Sequence, residues 1–531
     1  MDKTDQILEA YHRLGGNISA VSREVGVVRA TVRNHLKGLV DTTTPIAVGR
    51  LEAEEAEQKE VPRRGVRRYL LTAAQNNTKV NERAWKSLMA IKGHYEAELL
   101  VATFSYNMAA YGKMSVKRGH EVSHMGKLWF DERLAPYIEA GDDKNVELAP
   151  GLLWCGRANI SPTAIKPLSG FETYGGRLSC IFPHTKVAMA SIATSKTDPT
   201  KLNYTTGTIT QQNYIQKKAG LKAEAQHTYG ALLVEVDSEG RWWCRQVRAD
   251  ERGRMQDLGV IADGDKVTTG NRIEGAGWGD IHEVKMDPTV RHLTWAPGGI
   301  LDELRPKYQF MHDLIDFRSR RHHDRKDPHR IFELHVEGQD SVEEEMASGA
   351  AFLKYAERDF CKTVIIDSNH DNDFEKWLKE VDYRYDPLNA EYFLEAQLEV
   401  YRSIRKKEDF HAIEWAMKRA GCPPSNLFLR PDESFVLCHK FGGGIECGMH
   451  GHIGVNGARP SPVSFARLGR AANTAHTHTC GIIDDLYVGG LSAKLDQGYN
   501  KGPSSWSQSH VITYPNAQRA IITIWDGKWK A

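Results

Sequence analysis

The chain has 531 residues, 40% of them hydrophobic, and its 70 Lys and Arg against 69 Asp and Glu leave a formal net charge of +1. That length accommodates about two to four domains with substantial cores, and near-neutrality excludes a cationic coat, so any contact with a polyanion must come from local basic surfaces. The eight cysteines contain no C-x-x-C pair, which excludes a zinc ribbon or a disulfide scaffold, and there is neither a signal segment nor an apolar run of about 18 residues. The expected location is therefore cytoplasmic, with no membrane partner.

In chain order, Asp5 to Leu14 reads as a first helix, Asn17 caps a second running through Val25, Gly26 makes a tight turn, and Arg29 to Leu39 forms a third. The spacing over 1–40 looks like a helix-turn-helix. Val21, Val25, Val27 and Val32 supply its apolar contacts, and Arg29, Thr31, Arg33 and Asn34 face outward for DNA. The alternative is a small helical packing or oligomerisation unit, because its Lys and Arg content is modest. Residues 41–68 read as a linker that changes sign, from the acidic Glu52 to Glu60 to the basic Arg63 to Arg68.

An α+β accessory region over 69–270 opens with the strand Tyr69 to Thr72, a helix from Asn81 to Ala97, and the strand Leu99 to Phe104, a β-α-β pattern. Gly230 to Val236 and Arg241 to Cys244 read as a hairpin joined at Asp237 to Gly240. Trp242 and Trp243 with Arg241, Arg245 and Arg248 form either a stacking and phosphate-binding surface or, as the more ordinary reading, core aromatics.

From 271 to 531, polar clusters recur where short apolar runs give way to loops: Asp280-Ile281-His282, Asp313 to Asp316, Asn369-His370-Asp371, His450-Gly451 and His476-Thr477-His478. Strands fix a rigid base there and loops project the chemistry. Two divalent ions about 3.5–4 Å apart hold the attacking and leaving oxygens of a displacement at phosphorus. Carboxylate and amide oxygens suit manganese or magnesium, and imidazoles extend the site toward iron or zinc. The helical stretches Ser341 to Arg358 and Asn389 to Ala420 flank the third cluster and are expected to cover the sheet as a helical insertion at 341–420. Near the second cluster, Arg320 to Asp324 either places His322 and His323 on a phosphate chain or is a solvated helix end, and Arg459 has the planar fork to grip a phosphate. His335, His411 and His510 are isolated and read as packed or surface residues.

These clusters resemble the calcineurin-like metallophosphoesterase superfamily, whose signature runs D-x-H, G-D-x-x-D, G-N-H-[DE], H and G-H-x-H, over about residues 280–480. The resemblance implies a β-sandwich flanked by helices, with Asp280, His282, Asp313 and His478 on one metal and Asp313, Asn369, His450 and His476 on the other. It also implies that His370 acts as general acid, oriented by Asp371. The ions implied are manganese first, with Mg2+, Fe2+ or Zn2+ as alternatives. His312, Ser368 and Ala475 stand where the family has glycine, and His439 and His452 compete with His450 for the fourth motif. In addition, Leu71 to Thr78, Ile181 to Lys186, Trp278 to His282 and Gly498 to Ser504 resemble segments of the pre-early DNA-transfer nucleases of T-odd tailed phages. That implies a metal-dependent DNase, active early in infection in the host bacterial cytoplasm, with DNA as partner and homo-oligomer formation. The alternatives are a nucleotide phosphodiesterase or phosphatase, and a non-catalytic DNA-binding transfer protein.

Overall fold

The computed structural model describes residues 2–13, 18–36, 65–105, 129–141 and 145–531. The chain divides into two compact units, 1–64 and 65–531. In the first, the helices Lys3–Arg13, Ile18–Val25 and Arg29–Leu36 close on Ile7, Ala10, Tyr11, Val21, Val32 and Leu36. Gly26 makes the turn at φ +67°, a conformation that costs most side chains about 1–2 kcal/mol, and the Ser22 hydroxyl donates to the Val27 carbonyl at 2.6 Å. Asn34 is exposed and Thr31 half-buried. Asn17, the side chains of Arg29 and Arg33, and residues 37–64, which hold most of the expected linker, lie outside the described residues.

The second unit begins with the expected β-α-β segment, Arg67–Gln75, Glu82–Tyr95 and Glu98–Phe104, whose strands pair in parallel. The Asn81 side chain caps the helix by accepting from the Ala84 amide at 3.1 Å. The hairpin Gly230–Val236 and Trp242–Arg248 completes a four-stranded sheet. Its interior carries charge: Arg245 lies 2.7 Å from both Glu235 and Asp257, and all three are buried. Trp243 is also buried, and Arg248 donates to the Tyr487 hydroxyl. These three therefore belong to the interior and form no stacking surface.

Met255–Asp257, Val260–Asp263 and Lys266–Thr268 form a three-stranded sheet, and the remaining strands make two large ones. One has ten strands, 436–437, 445–446, 471–474, 486–488, 481–483, 189–192, 201–205, 179–182, 152–155 and 145–149 in spatial order. The pairing of Met189–Ile192 with Gly481–Ile483 joins the expected accessory region to the C-terminal part, so no break between compact units falls at 270. The other has six strands. Leu427–Phe428, Lys362–Ile365, Tyr308–Met311 and Gly275–Gly277 are parallel neighbours, followed by the antiparallel Ser509–Thr513 and Arg519–Thr523. Lys362–Ile365 sits inside the expected helical insertion at 341–420, which is therefore two helical segments around a central strand.

Phe310, Val364 and Ile366 from the six-stranded sheet share a buried cluster with Leu437, Ile445 and Cys447 from the ten-stranded one. Gly275 permits this approach, since a Cβ there would stand 2.6 Å from Leu437 Cδ1. A second cluster draws Trp278, Trp295 and Met311 together with Met346, Phe374 and Met417 from the helices Val342–Tyr355, Asp371–Glu380 and Ala412–Arg419. The architecture is mixed α/β.

Candidate metal centre

Each polar cluster leaves the C-terminal end of a strand. Asp280 and His282 follow Gly275–Gly277, Asp313 follows Tyr308–Met311, and Asn369 and His370 follow Lys362–Ile365. From the ten-stranded sheet, His450 follows Ile445–Glu446, and His476 and His478 follow Ala471–Thr474. Within each sheet these strands are parallel, so their C-terminal loops gather at one end.

On one side, donor atoms of Asp280, His282, Asp313 and His478 lie within 4.8 Å of one another, all buried. Asp280 Oδ2 is 3.0 Å from His478 Nε2, and His282 Nε2 is 3.2 Å from the same atom. On the other side, Asn369 Oδ1 lies 3.0 Å from both His450 Nε2 and His476 Nδ1, and Asp313 Oδ2 is 3.3 Å from His450 Nε2. Asp313 thus belongs to both groups. Of the three histidines competing for the fourth motif, His450 is the one buried in this cluster. His452 stands beside it, with Nε2 3.8 Å from Asp367, and His439 is exposed.

Burial disfavours charge at all of these groups, but they compensate one another. It works against ionisation of Asp280, yet His450 and His478 outweigh it and hold the carboxyl at about 2; His450 and His370 likewise keep Asp313 well below the usual range. Burial opposes a charge on His450, but Asp313 and Asp280 prevail and raise it. Burial dominates at Asp367, pushed up to about 6, and at His312, lowered to about 4.

His282, Asp313, His476 and His478 occupy the left-handed region at φ 43°, 43°, 70° and 55°. Non-glycine residues adopt it infrequently, and clusters of such positions mark sites where surrounding structure enforces them. His312, Ser368 and Ala475, the replacements for family glycines, are not among the positive-φ residues. Each makes a contact instead: the Ser368 hydroxyl accepts from the Asp313 amide at 3.0 Å, the Ala475 amide donates to the His450 carbonyl, and His312 Nδ1 is 3.4 Å from His450 Nδ1.

The surrounding residues differ from the expected roles in part. His370 Nδ1 meets the Asp316 backbone carbonyl at 2.9 Å, while the Asp371 carboxylate accepts from the amides of Ile315 and Leu314 at 3.1 and 3.4 Å. Asp371 therefore fixes the loop that carries Asp313, and Asp316 orients His370. The Asp316 carboxylate also lies 3.1 Å from His282 Nδ1 and 2.6 Å from Lys285 Nζ. Its position three residues after Asp313 was the available signal. Arg321 Nη2 reaches within 3.4 Å of His370 Nε2, with its guanidinium over the Tyr499 ring. His322 pairs with Asp373 at 2.9 Å and its ring lies against the exposed His323, whereas Arg459 is exposed on the loop beyond His452.

The residues fit a cation. Asp280 Oδ2 is buried with His478 Nε2 at 3.0 Å but no donor in good hydrogen-bond geometry among the described residues, and a carboxylate oxygen so placed among convergent imidazole nitrogens is costly unless a positive ion or proton offsets it. Two carboxylates and two imidazoles at one position, and carboxylate, amide and two imidazoles at the other, are donor sets of the kind that bind manganese, iron or zinc.

Protein A1 of Escherichia phage T5 is 37% identical to the chain over 509 residues, covering 93% of the chain and 88% of that protein. The chain belongs to the Protein A1 family. No family model matches it, and no solved structure does. The uncovered 7% of 531 residues is far shorter than the span from 280 to 478, so the relationship to Protein A1 necessarily runs through most of the site.

Proposed function

We propose that the chain is a divalent-metal-dependent phosphodiesterase acting on DNA, built on a metallophosphoesterase plan, that works in the host cytoplasm early in phage infection. The observation that carries this reading is the convergence of Asp280, His282, Asp313 and His478 within 4.8 Å, with Asp313 also facing His450, which in turn meets Asn369. One ion would be held by Asp280, His282, Asp313 and His478, and a second by Asp313, Asn369, His450 and His476. When bound, two such ions neutralise phosphoryl charge and bring a water toward neutral pKa.

The chain's own groups then place and service the substrate. With Nδ1 fixed on the Asp316 carbonyl, His370 turns Nε2 toward Arg321, at the side where a phosphate would enter. Burial lowers its imidazole to about 4, and the negative charge of a phosphodiester favours the second proton that donation to a leaving sugar oxygen requires. Arg321, held over Tyr499, supplies planar positive charge beside it. The N-terminal three-helix unit adds DNA contact through Arg29, Thr31, Arg33 and Asn34 on its third helix. Membership of a family that includes a T5 protein supports a role in infection.

Incubation of the protein with circular and linear DNA in manganese tests the reading. Wild type is expected to cleave, Asp313→Ala to lose cleavage, and His370→Ala to lose roughly 10²–10⁴-fold in kcat. Intact DNA with every divalent ion, or undiminished activity in both variants, contradicts it. Hydrolysis of nucleotide phosphodiesters with DNA left whole replaces the polymer substrate by a small one.

A further inference from the structure

The 17-residue helix Ala390–Lys406 has two unlike apolar faces. Tyr392, Phe393 and Ala396 are buried, with Phe393 edge-on to Trp377 at 4.8 Å and Tyr392 5.5 Å from Trp415. Away from them, Leu394, Leu398, Tyr401 and Ile404 are 46, 48, 65 and 64% exposed. Their spacing of four, three and three residues puts them in one stripe along the helix. Leu388 and Tyr385, 58 and 86% exposed, stand just before the helix begins. A helix that has already buried one face gains nothing within its own chain from a second apolar stripe, and continuous exposed apolar surface of this kind marks contact with another macromolecule.

The charges along the helix indicate which one. Glu391, Glu395 and Glu399 occupy its first part, and Arg402, Arg405 and Lys406 its last, with Lys407 following. Such a helix is complementary to its own reverse: a two-fold axis at Leu398 sets the acidic half of one copy against the basic half of the other. A parallel copy would instead align like charges. Glu395 and Glu399 already pair within the chain, with Arg419 and Arg402. Glu391 and Arg405 make no ion pair among the described residues, and each lies seven positions from Leu398, so reversal about that residue brings them opposite one another. We propose that this stripe is an isologous, antiparallel helix contact with a second copy of the chain. The proposal is independent of the metal centre.

Light scattering after size-exclusion chromatography of the full chain tests it. The wild type is expected to run as an assembly, and Leu398→Asp with Tyr401→Asp to reduce its mass roughly twofold, as loss of a two-fold contact requires, with unchanged circular dichroism because both side chains are exposed. Arg405→Glu alone sets like charges together and weakens association by about tenfold or more. Glu391→Arg combined with Arg405→Glu restores the wild-type mass, since the swapped charges again oppose one another. A monomeric wild type, or stripe variants that retain the wild-type mass, overturns the proposal. Failure of the charge swap to recover an assembly lost in Arg405→Glu overturns the reversed arrangement.

Discussion

His282, Asp313, His476 and His478 share a left-handed backbone that glycine would adopt more readily. Glycine has no side-chain donor atom, so those positions trade backbone ease for an imidazole or carboxylate, and the loops around them have to enforce the conformation. Asp371 is one such enforcer through the Leu314 and Ile315 amides, and the Ser368 hydroxyl is another through the Asp313 amide. Asp371→Asn keeps an acceptor oxygen for one of the two amides, so in a manganese titration it is expected to lose less affinity than removal of the side chain. Asp371→Ala is expected to weaken binding about 10–100-fold, the usual effect of removing a supporting group; equal affinities in the two variants would show that the carboxylate does not hold the loop. The side chains that converge at the centre were legible in the sequence because each sits in a short motif with fixed spacing. The supporting roles were not. Asp371 is adjacent to His370 in the chain, yet the group that meets His370 Nδ1 is the Asp316 carbonyl, 54 residues earlier in sequence.

At the scale of elements, the hairpin Gly230–Val236 and Trp242–Arg248 shows why charge is harder to place than hydrophobic pattern. Arg245 is joined to Glu235 and to Asp257, Tyr95 donates to Asp257 at 2.7 Å, and Arg68 donates to Glu235 at 2.8 Å. The network ties the hairpin to the strand Met255–Asp257, to the end of the helix Glu82–Tyr95 and to the strand Arg67–Gln75. Arg245→Ala leaves two buried carboxylates facing each other without their common cation, and is expected to destabilise the fold by about 3–5 kcal/mol in urea unfolding. A loss below about 1 kcal/mol would place Arg245 among exposed pairs instead. The hairpin itself was readable from the apolar run Gly230 to Val236 and the turn at Asp237 to Gly240, and the β-α-β opening from two apolar strands about a helix. Whether an arginine on such a strand faces a phosphate or a buried acid depends on partners brought in by tertiary pairing, which local sequence does not display.

For the whole molecule, the same limit governs the domain reading. The strands of 145–205 and of 436–488 lie in one sheet, and the strand Lys362–Ile365, from within the expected helical insertion, lies second from the edge of the other, because strand pairing joins segments far apart in sequence. Composition and spacing locate the three-helix unit and the metal-ligand motifs, but not which strands lie side by side. The parallel strands and their loops nevertheless bring five motifs spread over 280–478 into a single buried centre, and all else proposed for catalysis depends on that centre holding metal. The most direct measurement is metal content by mass spectrometry after loading with manganese and dialysis. Two ions per chain are expected in the wild type and fewer in Asp313→Ala, whose carboxylate faces both positions. A protein that retains no manganese, magnesium, iron or zinc, or an Asp313→Ala variant that keeps two ions, would contradict the account.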